Sequence, residues 1–295
     1  MDGKCPPFVT VIVPVWNGSD HIDRCLDALQ SQTYPTDRYE LLVVDNGSTD
    51  DTVERLGSRS RIRLLHEPVA SSYRARNRGL AAARGEHILF TDADCVPTND
   101  WIAHAVAALE SDRDAGIVGG RITLFSAEMA PHPMMRLYEE TFAFNQEEAV
   151  RSGYSVTANW ISPAKLLNEV GGFNASMKSG GDAEMSRRVR ALGRKIQYAP
   201  DMVVAHPIRG SFAEIRNKHL RTIGGRWSLH KGPLRVLLLI AGQARNFFRR
   251  SIIVWRRHDL TKGERIGLNA VLGYLLLLGW IEIFRLAAGG ETRRA

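Results

Sequence analysis

Short apolar runs alternate with helix-patterned segments along most of the chain. Val9–Val15 (VTVIVPV) reads as a buried strand that closes in the turn Trp16-Asn17-Gly18-Ser19. A helix is predicted over roughly His21–Gln32, with Ile22, Cys25, Leu26 and Leu29 on one face and Ser19 or Asp20 able to cap it. Tyr34-Pro35-Thr36-Asp37 breaks that helix. Glu40–Val44 is a second strand, ending in Asp45-Asn46-Gly47-Ser48-Thr49-Asp50-Asp51, where Thr49 or Asp50 can cap the next helix. Ile62–Leu65 is a third strand. Ser72–Arg84 is helical in pattern and carries Arg74, Arg76 and Arg78. Gly85 ends it, and His87–Thr91 follows as an apolar, β-prone run.

Further along, Trp101–Leu109 predicts a helix and Ile117–Phe125 a strand. Met129–Val150 is less regular and holds Glu139, Glu140, Glu147 and Glu148, read as a solvated helix face. Thr157–Ser162 is β-like, Met185–Leu192 is a strong helix, and Val203–Pro207 is a strand that closes with His206. Strand–helix alternation with short turns predicts an α/β fold, a mostly parallel sheet flanked by helices. In such sheets ligands lie outside the carboxyl ends of the strands. Three strand ends here deliver polar groups: Trp16-Asn17, Asp45-Asn46 and Asp92/Asp94. No G-x-G-x-x-G follows the first strand, so the usual dinucleotide fingerprint is missing.

Asp92-Ala93-Asp94 leaves the fourth strand. In extended backbone, residues two apart face one side, so both carboxylates would point together, where a cation would relieve their repulsion. Oxygen-only ligands favour Mg²⁺ or Mn²⁺. The alternative is a polar turn in which one Asp caps the next helix. Asp45 alone fits a turn residue. Asp182 sits in the first turn of a helix, where the dipole favours negative charge. His206 alone fits a structural histidine.

Composition narrows the class. The 295 residues, 44% hydrophobic and 24% charged, suit a globular chain. The N-terminal MDGKCPPF has no apolar h-region, so no secretory leader is expected. Cys5, Cys25 and Cys95 form neither a metal pattern nor an even disulfide set, which suits a reducing cytosol. The net charge of +7 is uneven: Arg209–Lys262 carries 13 Lys/Arg against Glu214 and Asp259. With Trp227, Phe247, Phe248 and Trp255 interleaved and no RNA-binding or zinc-finger signature, an anionic membrane surface is the expected partner and nucleic acid is not.

Together these residues resemble an inverting family 2 glycosyltransferase of the GT-A fold. The resemblance runs from Val9 to about Trp227. It rests on IVPVWN (Ile12–Asn17), VVDNGSTDDT (Val43–Thr52), ARN (Ala75–Asn77), TDADC (Thr91–Cys95), GGFN (Gly171–Asn174), GGDAEMSRR (Gly180–Arg188) and the His of VAHP (Val204–Pro207). It implies a Rossmann-like, mostly parallel sheet and a nucleotide-diphospho-sugar donor, a UDP-sugar foremost. It places Val15 and Asp45 around the donor's base, Asn17 in the same donor-binding set, Arg76 near the nucleotide and Asp92 by the ribose. Asp94 would bind Mn²⁺ or Mg²⁺ on the diphosphate, with His206 a second ligand. Asp182 would be the catalytic base, with Glu184, Arg226 and Trp227 on the side of a saccharide or lipid-linked acceptor. The chain departs from the family twice. Gly181 stands where a Glu often precedes the base, and Ile223-Gly224-Gly225-Arg226-Trp227 keeps only the Arg-Trp of the processive Gln-x-x-Arg-Trp.

Two other readings compete. A nucleotidyltransferase also uses acidic strand ends and a metal, but no Gly-rich, Lys-bearing loop follows Val9–Val15. A non-catalytic sugar- or membrane-binding scaffold is favoured by Gly181 and opposed by Asp92, Asp94 and Asp182. The expected organisation is a catalytic domain over residues 1–230 and basic, apolar C-terminal helices over 231–295. Leu234–Ile240 and Phe247–Trp255 fall short of the roughly 20 apolar residues of a full span. Ile266–Ile281 is borderline, and Glu282 and Arg285 interrupt its extension. Helices lying on an anionic leaflet fit better, at the cytoplasmic face of the cell membrane. A helical subdomain packed on the core is the alternative.

Overall fold

The structure, a computed structural model, describes residues 5–126 and 131–292. Met129, where the less regular stretch was placed to begin, and the first four residues of the N-terminal segment lie outside them. The strands are β1 Val9–Val15, β2 Tyr39–Asp45, β3 Arg63–His66, β4 His87–Thr91, β5 Val96–Pro97, β6 Ala115–Phe125, β7 Asn159–Pro163 and β8 Lys195–Pro207. The helices are α1 Ile22–Gln30, α2 Thr52–Gly57, α3 Ser72–Ala82, α4 Trp101–Glu110, α5 Pro133–Phe142, α6 Gln146–Arg151, α7 Ala164–Glu169, α8 Gly181–Ala191, α9 Phe212–Leu229, α10 Arg235–Arg256 and α11 Lys262–Ala287. The chain divides into two compact units. The first comprises residues up to Phe125, Phe144–Ala175 and Gly181–Pro207; the second comprises Ser126–Ala143, Ser176–Gly180 and Ile208 onward.

The first unit holds one sheet in the order β3-β2-β1-β4-β7-β6-β8-β5. β3, β2, β1 and β4 run parallel, β7 is antiparallel to both its neighbours, and β6 and β8 are again parallel. This is the mostly parallel α/β sheet that the alternation predicted. β1 lies inside the sheet and is buried on both faces, where Thr10 is the one polar side chain and bonds Glu40 at 2.8 Å. Val9, Val11, Val13 and Val15 pack with Cys25, Leu26 and Leu29 of α1, while Ile12 points to the other face and meets α3. Gly79 makes that approach possible: a Cβ there would stand 2.5 Å from Ile12 Cγ2. Each such fully buried aliphatic side chain contributes about 1.5–3 kcal/mol, an upper figure given a compact unfolded chain.

Several boundaries differ from the sequence expectation. β8 starts eight residues earlier than Val203. Lys195, Gln197 and Asp201 mask it with polar character, yet it pairs with β6 from Ala115 on, through irregularities at Ala115/Ile117 and Gly120/Arg121. Ser19 and Asp20 do not cap α1, whose N-cap His21 makes no side-chain bond. Neither Thr49 nor Asp50 is the N-cap of α2, which is Asp51 without a side-chain cap bond; Asp50, one residue earlier, accepts from the Thr52 amide.

The second unit is helical, built from α5, α9, α10 and α11. Met135 and Tyr138 of α5 pack with Ile215, Val254, Leu268, Val271 and Leu275. Ile223 and Trp227 of α9 pack with Leu239, Ile283 and Leu286. Because the apolar face of α9 is shared with α10 and α11, the C-terminal part of this unit runs from Ile208, and α5 and Ser176–Gly180 join it from earlier in the chain, where the expectation was a single division at 230. α9 and α11 both open with full capping boxes, Ser211/Glu214 and Thr261/Glu264. The apolar runs Leu234–Ile240 and Phe247–Trp255 form one continuous helix, α10, because no proline separates them. α11 likewise continues past Glu282, which is buried and paired with Arg285 at 2.7 Å. α11 is long and apolar enough to cross a membrane by length and composition. The glutamates of the irregular stretch do not share one solvated face. Glu140, Glu147 and Glu148 are exposed ion-pair partners, but Glu139 is buried against Arg209 and Lys218.

Candidate active site

Three loops at the carboxyl ends of β1, β2 and β4 are tied into one rim. Asn17 adopts a left-handed backbone (φ 49°). Its amide donates to Ser48 Oγ and its Oδ1 accepts from the Thr49 amide at 2.8 Å. Gly18 and Ser19 donate to Thr52 Oγ1 and Asp50 Oδ2. Burial opposes ionisation of Asp50, but hydrogen bonds from Thr52 and Ser19 hold its carboxyl down at about 2. Asp45 is buried and closes its own turn by accepting from the Gly47 and Ser48 amides, with His66 Nδ1 at 3.4 Å. Asp45 is thus the turn residue that its type alone suggests. Val15, 3% exposed, forms the floor at the end of β1. Asn46 bonds the carbonyls of Glu67 and Val69 and accepts from the Ser71 amide. Ser71 is the N-cap of α3, so β2 fixes where α3 begins.

α3 carries three site residues at i, i+3 and i+4: Tyr73, Arg76 and Asn77. Arg76 is 5% exposed and donates to Asp92 Oδ1 at 2.6 Å. Asn77 makes two hydrogen bonds with the backbone of Phe173, donating to its carbonyl and accepting from its amide, each at 2.8 Å. ARN and GGFN thus meet in space. Tyr73 stacks on Phe173 and its hydroxyl accepts from the Gly181 amide at 2.8 Å.

The two carboxylates of Asp92-Ala93-Asp94 do not converge on one point. β4 ends at Thr91, so both lie in a turn, closed by the Cys95 amide on the Asp92 carbonyl, and the two-residue period of a strand no longer applies. Asp92 turns to Arg76. Asp94 turns to His206 Nε2, 3.5 Å away. His206, buried at the end of β8, has Nδ1 2.7 Å from the Pro207 carbonyl. A carbonyl only accepts, so Nδ1 carries the proton and Nε2 faces Asp94, the arrangement that orients a ligating imidazole. Asp94, Cys95 and His206 bring their ligand atoms within 4.8 Å of one another. Burial, with Asp94 next, pushes the Cys95 thiol well up. The donor set for a divalent ion is therefore one carboxylate and one imidazole beside a protonated thiol. An oxygen–nitrogen pair of this kind fits a divalent cation whose remaining positions are filled by phosphate oxygens or water.

Asp182 opens α8 without capping it. Its Oδ2 accepts from the Thr157 amide at 3.4 Å, and its Oδ1 is buried with no hydrogen-bond partner. Burial raises its carboxyl above the usual range. Arg76 opposes that shift and Asp92 reinforces it. A buried carboxylate oxygen left unpaired is costly unless it serves a ligand. Glu184 differs. Both its oxygens are held by Arg188 Nε at 2.9 and 3.0 Å, and Arg188 also donates to the Val170 and Gly172 carbonyls. Glu184 is thereby committed to bracing the GGFN turn. Arg226 and Trp227 belong to the second unit. There Trp227 is buried with the Arg235 guanidinium 3.4 Å from its ring centroid, and Arg226 lines a cavity between helices.

Sequence reasoning missed Tyr73, Asn77 and Thr157 as site residues. Their signal was the helical spacing of Tyr73 and Asn77 about Arg76, which the reading Arg74/Arg76/Arg78 passed over. Tyr73 also explains Gly181. A Cβ on Gly181 would stand 2.5 Å from the tyrosine ring, so the phenol occupies the room that a glutamate side chain would need. Gly181→Ala should lower stability by about 1–3 kcal/mol, as overpacking does. Tyr73→Ala should relieve part of that cost in the double variant. Thermal melts of the three variants test this, and a native-like melt for Gly181→Ala would show that the ring does not constrain the position.

Residues 10–189 match the family described as glycosyl transferase family 2. Glycosyltransferase AglE of Haloferax volcanii is 32% identical over 243 residues, covering 80% of this chain and 79% of the relative. The pre-mycofactocin glycosyltransferase of Mycobacterium tuberculosis is 28% identical over 213 residues, 68% of this chain but 43% of that protein. Among solved structures, mannosyltransferase PcManGT from Pyrobaculum calidifontis, in complex with GDP-Man and Mn²⁺, superposes with a TM-score of 0.57 at 22% identity, over 98% of this chain and 77% of that one. S. aureus TarS 1–349 with UDP-GlcNAc gives 0.54 at 18% identity, over 97% and 93%. These likenesses bear on the fold.

Proposed function

The chain belongs to glycosyl transferase family 2, and from that premise we propose that it transfers a sugar, with inversion, from a nucleotide-diphospho-sugar to an acceptor hydroxyl at the cytoplasmic face of an anionic membrane. It is a glycosyltransferase of GT-A fold; the donor class, the metal and the site roles are our reading. The observation that carries the reading is the arrangement around Arg76. Asp92 is locked to it, Asp94 faces His206, and Asp182 presents an unpartnered oxygen in the same neighbourhood.

Val15, Asn17 and Asp45 would wall the base end of the donor, with Arg76 and Asp92 along its nucleotide. Asp94 and His206 would hold Mn²⁺ or Mg²⁺, the imidazole nitrogen favouring Mn²⁺. A divalent ion, when bound, stabilises the charge that builds on a diphosphate leaving group. Asp182 would take the proton from the acceptor hydroxyl as its oxygen bonds to the anomeric carbon and the nucleoside diphosphate departs. The neighbours solved with GDP-Man and with UDP-GlcNAc support a nucleotide sugar as the class and leave the base to experiment. The acceptor would be a saccharide or a lipid-linked sugar.

A panel of UDP- and GDP-sugars with Mn²⁺ tests the reading. At a hundredfold excess over Kd a true donor adds about 2.7 kcal/mol of stability. The melting temperature should rise with one base series and fall back on chelation. No stabilisation by any member would defeat the proposal.

Membrane placement is supported by the basic second unit and by Leu237, Phe248, Ile252, Leu277 and Ile281, each more than half exposed on α10 and α11. The full chain should bind anionic vesicles and lose them between ~0.1 M and ~1 M salt, where the Debye length falls from about 10 Å to about 3 Å. Salt-independent binding to neutral and anionic vesicles alike would remove the electrostatic part.

A further inference from the structure

Two glycines precede Asp182. Gly180 has a left-handed backbone (φ 79°), and Gly181 opens α8 with no side chain of its own. Glycine leaves a backbone its widest conformational freedom, so the two residues do not by themselves fix the angle at which α8 leaves this turn. Asp182 follows directly. The Thr157 amide reaches its Oδ2 at 3.4 Å, and its Oδ1 has no hydrogen-bond partner. The direction of the carboxyl is therefore set by the backbone of the first turn of α8.

The hold on that turn comes from another helix. Tyr73 of α3 is 6% exposed, and its Oη accepts from the Gly181 amide at 2.8 Å. The ring abuts Gly181 edge-on: a Cβ there would stand 2.5 Å from Cζ, 2.7 Å from Cε1 and 2.8 Å from Cε2. The ring is held in turn. It stacks on Phe173 with centroids 5.7 Å apart and planes 19° from parallel. Phe173 meets the buried Phe90 of β4 edge to face at 5.4 Å. The Arg76 guanidinium lies 5.9 Å from the Tyr73 ring centroid. A rigid path thus runs from the sheet through two aromatic rings to the amide just before Asp182.

A phenylalanine would fill the same space, so packing does not call for the hydroxyl. A buried phenol oxygen is kept where it has a polar partner. Burial, with Asp182 next, pushes Tyr73 well above the usual tyrosine range, so the phenol stays protonated. Burial raises Asp182 as well. Arg76, the Thr157 amide and the Tyr73 hydroxyl hold it down, against Asp92.

We propose that Tyr73 is a positioning residue for sugar transfer: its hydroxyl fixes the first turn of α8 and so aims the Asp182 carboxyl at the acceptor hydroxyl. The proposal rests on the reading of Asp182 as the base. A base works only within hydrogen-bond reach of the proton it takes, so a swing of this turn slows transfer while the donor and metal contacts stay in place.

The test compares Tyr73→Phe, which keeps the ring and removes the oxygen, with Asp182→Asn in the full chain. Each variant is assayed at the same interval below its own melting temperature. Transfer is read as nucleoside diphosphate released from the UDP- or GDP-sugar that stabilises the chain, with alkyl glycosides and with water alone as acceptors. Tyr73→Phe should lower kcat by about 10–100-fold and leave donor KM and the Mn²⁺ midpoint within about twofold. The acid limb of its pH–rate profile should move to higher pH, because the variant loses a group that favours the ionised carboxyl. Tyr73→Met, which fills the space without a hydroxyl, takes its place if Tyr73→Phe fails to fold. Native kcat and a native acid limb in the Tyr73 variant, beside a dead Asp182→Asn enzyme, overturn the positioning role and leave the base reading standing. A loss confined to donor KM overturns it too, by assigning Tyr73 to the donor. An active Asp182→Asn enzyme overturns the base reading and the proposal with it.

Discussion

Asp182→Asn should slow sugar transfer by about 10²–10⁴-fold, the usual scale for a lost general base, and should not lower the melting temperature at neutral pH. The two halves of the result share one cause. Asp182 is partly buried, its Oδ1 is sealed from solvent with no hydrogen-bond partner, and its folded pKa is raised. For a carboxyl raised on folding, the unfolded chain ionises more readily. Its charge therefore destabilises the native state above the folded pKa, and that penalty disappears as pH falls below the unfolded value. The amide removes the charge while keeping the shape, so stability at pH 7 should hold or rise. Transfer by the native enzyme should decline on the acid side from a pH above the ordinary aspartate range, because a protonated Asp182 cannot accept the acceptor's proton. A structural carboxylate would behave in the opposite way, with lower stability and intact transfer in the asparagine variant. Glu184→Gln is the control. Its ion pair with Arg188 predicts a loss of stability through the GGFN turn. Full activity in Asp182→Asn together with a dead Glu184→Gln would move the base to Glu184.

Asp94→Ala should abolish metal-dependent donor binding and reduce kcat/KM by ~10³-fold or more, corresponding to the several kcal/mol that a cation supplies at a diphosphate. Asp94 is the one carboxylate in the turn after β4 that is not bound to Arg76. His206→Ala should cost less, about 10–100-fold, because the carboxylate remains. Asp92→Ala should show a third signature. It leaves the Asp94–His206 pair in place but releases a buried arginine, so donor affinity should drop while the Mn²⁺ titration midpoint stays. Titrating Mn²⁺ against nucleotide-induced stabilisation in the three variants separates these cases. If Asp94→Ala retains the Mn²⁺ response of the native chain, the ion sits elsewhere.

The first half of the sheet was legible because β1, β2 and β4 are buried on both faces and are mostly apolar runs, with Thr10, Glu40, Asp45 and Thr91 the buried polar exceptions. His87–Thr91 matched to the residue. β8 was half hidden because polar residues from Lys195 to Asp201 broke the pattern. In the second unit α10 was read as two short runs, since its arginines interrupt composition but not backbone hydrogen bonding. The site was legible as a set of motifs and illegible as geometry. The strand period placed Asp92 and Asp94 side by side, whereas the turn after Thr91 sends one to Arg76 and the other to His206. Gly181 looked like a weakness at the base until Tyr73, 108 positions earlier, was found to fill the space beside it. No local pattern announces a contact at that separation.

Tyr73, Arg76 and Asn77 share one face of α3, and through them a single helix touches the Gly181 amide, the Asp92 carboxylate and the GGFN turn at once. A displacement of α3 along its axis would move all three together, so substitutions at Leu80 or at the Ser71 cap should alter kcat and donor KM in step. The loops after β1 and β2 are bonded mainly to each other, and only Asn46 among them holds α3, through the Ser71 cap. On the proposed roles, divergence in donor preference would proceed through residues 16–19 and 47–52, while the geometry that α3 braces is inherited as an unaltered block.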